Sequence, residues 1–269
     1  MNAPSQPANR MRFPFAWIFV LMMSPVLAQS PQQSPNVTTE IASQFPKSIA
    51  PWVDAAIKKW DQDIRKLEAK AIQEADSPDN ILMVGSSSIR LWEESGNIGR
   101  DMAPFRVTAR GYGGAKYTDL AVFAERLIRP EAYRALVLFV GNDVAGSSDD
   151  RSVEQVSDAL RHIIRVAQEA RPESPILIIE VTATPSRYAA RDALIALNAM
   201  LRRTAIEMPH VYFLPTWEHF LSPAGKPRET LFRADRLHLN EAGYQLWSHL
   251  IRDRLTAVLR LESETTPKK

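Results

Sequence analysis

Ile81-Leu82-Met83-Val84-Gly85-Ser86-Ser87-Ser88-Ile89-Arg90-Leu91-Trp92 is the stretch that decides the fold. Ile81 to Val84 form an unbroken apolar run, too short for a helix and closed by a glycine. That pattern suits a strand buried on both faces of a parallel sheet. The serines make a tight polar turn, and Ile89, Leu91 and Trp92 open a helix directly behind it. Strand, turn and helix in immediate succession form the first half of a βαβ unit.

The same alternation repeats outward from this segment. Upstream, Trp52, Ala56, Trp60, Ile64, Leu67 and Ala71 recur at helical spacing, predicting a helix from Trp52 to about Ala75. Downstream, apolar runs at Phe105–Thr108, Ala135–Val140, Ile176–Val181 and Val211–Leu214 predict four more strands. Helical patterns separate them at Tyr117–Ile128, Val153–Ala170 and Arg191–Ile206, with a last helix over Glu241–Leu259. Strands that alternate with helices must pair in parallel and carry helices on both sheet faces. The expectation is one flavodoxin-like, three-layer α/β/α domain with a five-stranded parallel sheet.

The ends of the chain read differently. Arg10 and Arg12, the apolar stretch from Phe13 to Val26, and Val26-Leu27-Ala28 have the layout of a cleavable export signal, residues 1–28. Pro14 and Pro25 interrupt that stretch, which is short for a membrane span, so no span is expected after cleavage. Residues 29–50, rich in Gln, Ser, Pro and Thr, read as a flexible linker; residues 51–262 as the folded domain; and residues 263–269 as a disordered tail. An exported, periplasmic or secreted, protein follows. The sequence carries no signal for oligomeric state.

Two of the 33 Lys and Arg and none of the 31 Asp and Glu lie in residues 1–28, so the remainder is formally neutral. A neutral chain gives no reason to expect nucleic acid as a partner. With no cysteine there are no disulfides, and a packed core must hold the fold.

Of the ten glycines none precedes Gly85, and Gly85, Gly111, Gly113, Gly114 and Gly141 follow predicted strands. In an open parallel sheet the carboxyl ends of the strands form the ligand rim, which should gather these turns on one edge. Far along the chain, Asp235-Arg236-Leu237-His238 is followed by Leu239-Asn240 and Gly243-Tyr244. A serine hydroxyl becomes nucleophilic when an imidazole takes its proton, and the imidazole needs a carboxylate to orient it. The segment supplies both groups three residues apart, within reach of one serine if it forms a turn over the sheet edge.

Gly85-Ser86-Ser87-Ser88, Gly111-Tyr112-Gly113-Gly114, Gly141-Asn142-Asp143 and Asp235-x-x-His238 resemble, in order and approximate spacing, the four blocks of the SGNH or GDSL-type hydrolases. The nearest likeness is to their platelet-activating-factor acetylhydrolase-like branch, over roughly residues 50–260. The resemblance implies Ser87 as nucleophile, His238 as base and Asp235 as its carboxylate. It also implies an oxyanion hole from the Ser87 and Gly114 N–H groups and the Asn142 amide. The family usually has Asp where this chain has Ser86, and Gly-x-Asn-Asp where this chain has Gly141-Asn142-Asp143. The second difference implies an altered backbone around Asn142.

Each residue has a plainer reading. The serines could cap the next helix, Gly114 could permit a turn, Asn142 could cap a loop, and Asp235 and His238 could be surface groups. Chemistry alone does not choose among Ser86, Ser87 and Ser88; the resemblance chooses Ser87. His219, beside Trp217 and Phe220, is the rival base, whereas His162 and His249 read as ordinary helix residues and His210 as part of a connection. No histidine pattern or cysteine points to a metal, and the serine turn lacks the G-K-[ST] ending of a phosphate loop, so no cofactor is expected. Trp92, Tyr112, Trp217 and Tyr188 could line a pocket or simply pack.

Together these residues imply an exported serine esterase. Its substrate would be a small-molecule or glycan ester carrying short acyl groups, such as acetyl on a carbohydrate or small lipid. An acyltransferase on the same scaffold and a non-catalytic carbohydrate-binding module are the alternatives.

Overall fold

A computed structural model describes residues 45–74 and 77–265. Five strands form one sheet: β1 (Ile81–Gly85), β2 (Val107–Gly111), β3 (Ala135–Phe139), β4 (Ile176–Ile179) and β5 (Val211–Leu214). All pair in parallel in the order β2-β1-β3-β4-β5. The chain moves outward from β1 in one direction to β2 and in the other through β3 to β5. This is the flavodoxin-like order, and its switch point lies between β1 and β3.

Among the described residues, seven α-helices flank the sheet: α1 (Val53–Gln73), α2 (Ser87–Glu94), α3 (Ile98–Met102), α4 (Tyr117–Leu127), α5 (Val153–Ala170), α6 (Arg191–Glu207) and α7 (Glu241–Thr265). Alternate strand residues face opposite sides. Leu82, Val84, Leu136 and Leu138 join a core with α1, α4, α5 and α6. Ile81, Met83, Val137 and Phe139 join a second core with α2, α3 and α7. Burial on both faces is what makes the strands read as continuous apolar runs. The start of α5 is set locally. The Ser152 hydroxyl accepts from Gln155 N at 3.2 Å, and the Gln155 side chain accepts from Ser152 N at 2.9 Å, a reciprocal cap.

The structure corrects several boundaries. The second strand spans Val107–Gly111 rather than Phe105–Thr108. It contains Arg110, 1% exposed, whose guanidinium is neutralised inside the fold by Glu131 at 2.6 Å and Glu74 at 2.7 Å. The short α3 has no counterpart in the sequence reading, and α7 continues past Leu259 into the segment expected as a tail. The expected linker ends earlier than residue 50: Ile49 is fully buried and Phe45 packs on the core. The expected signal, residues 1–28, and linker residues 29–44 lie outside the described residues, as do tail residues 266–269. Among the described residues, no helix is long and apolar enough to cross a membrane.

Candidate active site

β1 ends against β3. A Cβ on Gly85 would sit 2.1 Å from the Phe139 carbonyl oxygen, so only glycine lets the strand close this tightly. Ser86 follows in extended conformation, donates its N–H to Phe139 O at 3.1 Å, and accepts from Ile89 N and Arg90 N. Ser87 is therefore the first residue of α2, at the positive end of the helix dipole and at the carboxyl edge of the sheet.

The Asp235–His238 segment arrives from the other end of the chain. Phe232 and Leu239 form an antiparallel bridge. Arg233 N donates to His238 O at 2.8 Å and Asn240 N to Leu231 O at 3.1 Å, closing a small loop. Arg236 sits at the bend with φ 59°, the left-handed region, at a strain of about 1–2 kcal/mol for a residue with a Cβ. Asp235 Oδ1 accepts from both Leu237 N and His238 N at 2.9 Å, so the carboxylate is fixed by its own loop.

The structure brings Ser87, His238 and Asp235 into one hydrogen-bonded line. His238 Nε2 lies 3.0 Å from Ser87 Oγ, and His238 Nδ1 lies 2.7 Å from Asp235 Oδ2. Burial alone would raise the Asp235 pKa. Hydrogen bonds from the His238 ring and from two backbone N–H groups outweigh it and hold the carboxyl at about 2. An ionised carboxylate only accepts, so Nδ1 carries the proton and Nε2 presents a lone pair to the serine hydroxyl. Of the three serines, Ser87 is the one whose hydroxyl meets the imidazole. His219 lies exposed in the 3-10 helix Trp217–Phe220, His210 pairs with Glu262 and His249 with Asp253.

Ser87 and His238 line a cavity with Asn142, Arg187, Phe139, Leu194 and Trp247 among its walls. It straddles the β1/β3 switch point, because Ser87 follows β1 and Asn142 follows β3. Asn142 Nδ2 donates to Ala115 O at 3.0 Å, joining the two loops that flank it. Asp143 Oδ1 and Oδ2 receive Tyr117 N at 2.9 and 3.2 Å, adding a second joint between the same loops. Gly114 has φ 73°, which explains the glycine; it precedes Ala115 and lies outside the lining of that cavity. A serine hydroxyl, an imidazole with a fixed tautomer and an amide donor beside one cavity are groups that acyl transfer can use.

Arg187 is the residue that the sequence reading missed. It comes from the 3-10 helix Pro185–Ala190 behind β4, and its guanidinium donates to Gly141 O and to Asn142 Oδ1, the latter at 2.7 Å. No local signal in the sequence points to it, because the acceptors it meets belong to a different loop. Of the aromatic residues considered, Trp92 and Tyr112 belong to the core at 0% and 1% exposed. Trp217 and Tyr188 stack on each other with ring centroids 6.4 Å apart. Among the described residues, no group of His, Cys, Asp and Glu could hold a metal ion.

Residues 90–246 match the GDSL-like Lipase/Acylhydrolase family, and the chain belongs to it. It is a hydrolase that acts on esters. No curated protein matches the sequence significantly. Among solved structures, a GDSL-like lipase from Bacteroides thetaiotaomicron is similar at 15% identity and TM-score 0.62, over 72% of this chain and 97% of that one. A Streptococcus pneumonia protein whose name refers to platelet activating factor aligns at 20% identity and TM-score 0.62, over 80% and 99%. A carbohydrate esterase family 3 protein from Talaromyces cellulolyticus aligns at 15% identity with TM-score 0.51, over 67% and 98%. At these identities the structural likenesses speak to the fold.

Proposed function

We propose that the protein is an exported serine esterase that removes short acyl groups, acetyl foremost, from a carbohydrate or small lipid. The observation that carries this reading is the line from Ser87 Oγ through both ring nitrogens of His238 to Asp235, at 3.0 and 2.7 Å. Export is supported by the charged and apolar pattern of residues 1–28. A carbohydrate ester as substrate draws support from the similar carbohydrate esterase.

In this reading His238 Nε2 takes the hydroxyl proton as Ser87 Oγ bonds to the ester carbonyl carbon. The oxyanion that forms is met by the N–H of Ser87 and by Asn142 Nδ2, both in the cavity wall, whereas Gly114, expected as a third donor, stands outside that wall. Collapse breaks the bond to the alcohol, which leaves with the proton from His238. Water then loses a proton to His238, attacks the acyl-serine carbonyl and releases the acid, restoring Ser87. Asp235 stays ionised throughout and steadies the imidazolium.

Ser87→Ala should lower kcat on p-nitrophenyl acetate at least about a thousandfold while leaving the thermal melt unchanged. Wild type should take up a serine-directed fluorophosphonate that the variant refuses. Equal rates in the two proteins would overturn the assignment.

A further inference from the structure

Arg187 is a partly buried cation in the cavity wall, with no carboxylate at ion-pair distance among the described residues. Burial pushes its pKa down, and Asp150 and Asp143 act on it only through longer-range attraction. An arginine placed this way costs desolvation energy that no ion pair returns. What it contacts instead are two acceptors of one loop: the carbonyl of Gly141 and Oδ1 of Asn142.

Those contacts decide which way the Asn142 amide faces. Its Oδ1 receives Arg187 and its Nδ2 gives one N–H to Ala115 O at 3.0 Å. A flipped amide would set the NH2 group against the guanidinium and oxygen against oxygen at Ala115. Both neighbours therefore select one orientation, which leaves a single free N–H on Nδ2. Donation into Oδ1 also draws electron density from the amide and makes that N–H a stronger donor. Gly141 and Asn142 are adjacent, so the same guanidinium fixes the backbone of the shortened third block together with its side chain.

We infer that Arg187 is a positioning residue for the oxyanion hole, acting through Asn142 by holding its amide oxygen so that the remaining Nδ2–H faces the developing oxyanion. The inference rests on the esterase reading and goes beyond it. Arg187 does not touch the reacting atoms, and its effect requires the asparagine.

A double-mutant cycle tests the coupling. Losing an oxyanion donor costs about 10²–10³ in rate. Arg187→Ala should lower kcat about 10–100-fold with KM within about threefold, and Arg187→Lys, which keeps a cationic donor without the guanidinium fork, should recover part of the loss. In an Asn142→Ala background, Arg187→Ala should cost less than about twofold more. A full, multiplicative loss in that background overturns the inference. So does a loss confined to KM, which would make Arg187 a substrate contact. A second readout is independent of hydrolysis: in wild type the Asn142 side-chain NH2 should give two well-separated, slowly exchanging NMR signals, identified by their absence in Asn142→Ala. They should converge in Arg187→Ala, and unchanged signals overturn the inference even if the protein hydrolyses no ester. Failure of Ser87→Ala to abolish turnover would instead sink the reading beneath it.

Discussion

The phenol of Tyr244 donates to the carbonyl oxygen of Ser88 at 2.8 Å, joining the final helix to the turn that carries Ser87. Burial raises this hydroxyl to about 12, so it remains a donor at any working pH. Its ring stacks on Trp92 with centroids 5.2 Å apart. Tyr244→Phe keeps the stack and removes the hydrogen bond, which should cost about 1 kcal/mol in urea denaturation. It should also lower kcat several-fold through loosening of the Ser87 turn. A variant unchanged in both would show that the bond positions nothing.

Gly85 tests the close approach of β1 to β3. Alanine there would place its Cβ 2.1 Å from Phe139 O and 3.2 Å from Ile89 Cγ1. Backbone must give way on one side, so Gly85→Ala should destabilise by more than about 2 kcal/mol, at the severe end of single substitutions. Circular dichroism melts check this, and a melt within a few degrees of wild type would contradict the packing described.

The pH–rate profile separates His238 from Asp235. An imidazolium has no lone pair to take the Ser87 proton, so kcat/KM should fall on the acid side through a single ionisation. Asp235, held at about 2, is ionised across that range and contributes no limb of its own. Asp235→Asn should depress the plateau through the wrong tautomer. A profile with no acid limb would remove His238 from the role of base.

Asp143 makes a stability prediction of opposite sign from most carboxylates. Full burial raises it to about 7 from an ordinary 3.8, against the lowering effect of the Tyr117 N–H. Between those values the folded protein keeps a proton that the unfolded chain releases. Stability on this account falls as pH rises through the window and stays lower above it. Asp143→Asn should flatten that slope, gaining on wild type at pH 8 relative to pH 4.5 in denaturant titrations. A slope that survives the substitution belongs to another group.

The five strands were legible because burial on both faces leaves an unbroken apolar signature. β2 was read two residues early because Arg110 is an arginine in a strand, and what makes it tolerable there, Glu131 and Glu74, is distant in the chain. The serine turn and the Asp235–His238 pair could be found because turn chemistry and short spacing are local properties, but the choice of Ser87 among three serines came from the family resemblance. Arg187 could not be singled out, since its meaning depends on carbonyl and amide oxygens brought up from a different loop. For Trp92 the sequence left pocket lining and packing both open, and the structure decides for packing: its indole N–H is taken by Asp101 at 2.9 Å inside the core.

Carboxylate and imidazole ride on the same bend, and the bend is fastened to the Arg187 segment by Ser186 N donating to Arg236 O at 3.0 Å. If that bend swings outward, the pair travels as a cartridge: the ring stays aligned with its acid and only the gap to Ser87 opens. Disengaging it then breaks the His238–Ser87 contact and the Ser186–Arg236 bond but leaves acid and ring together, so re-engaging requires docking alone.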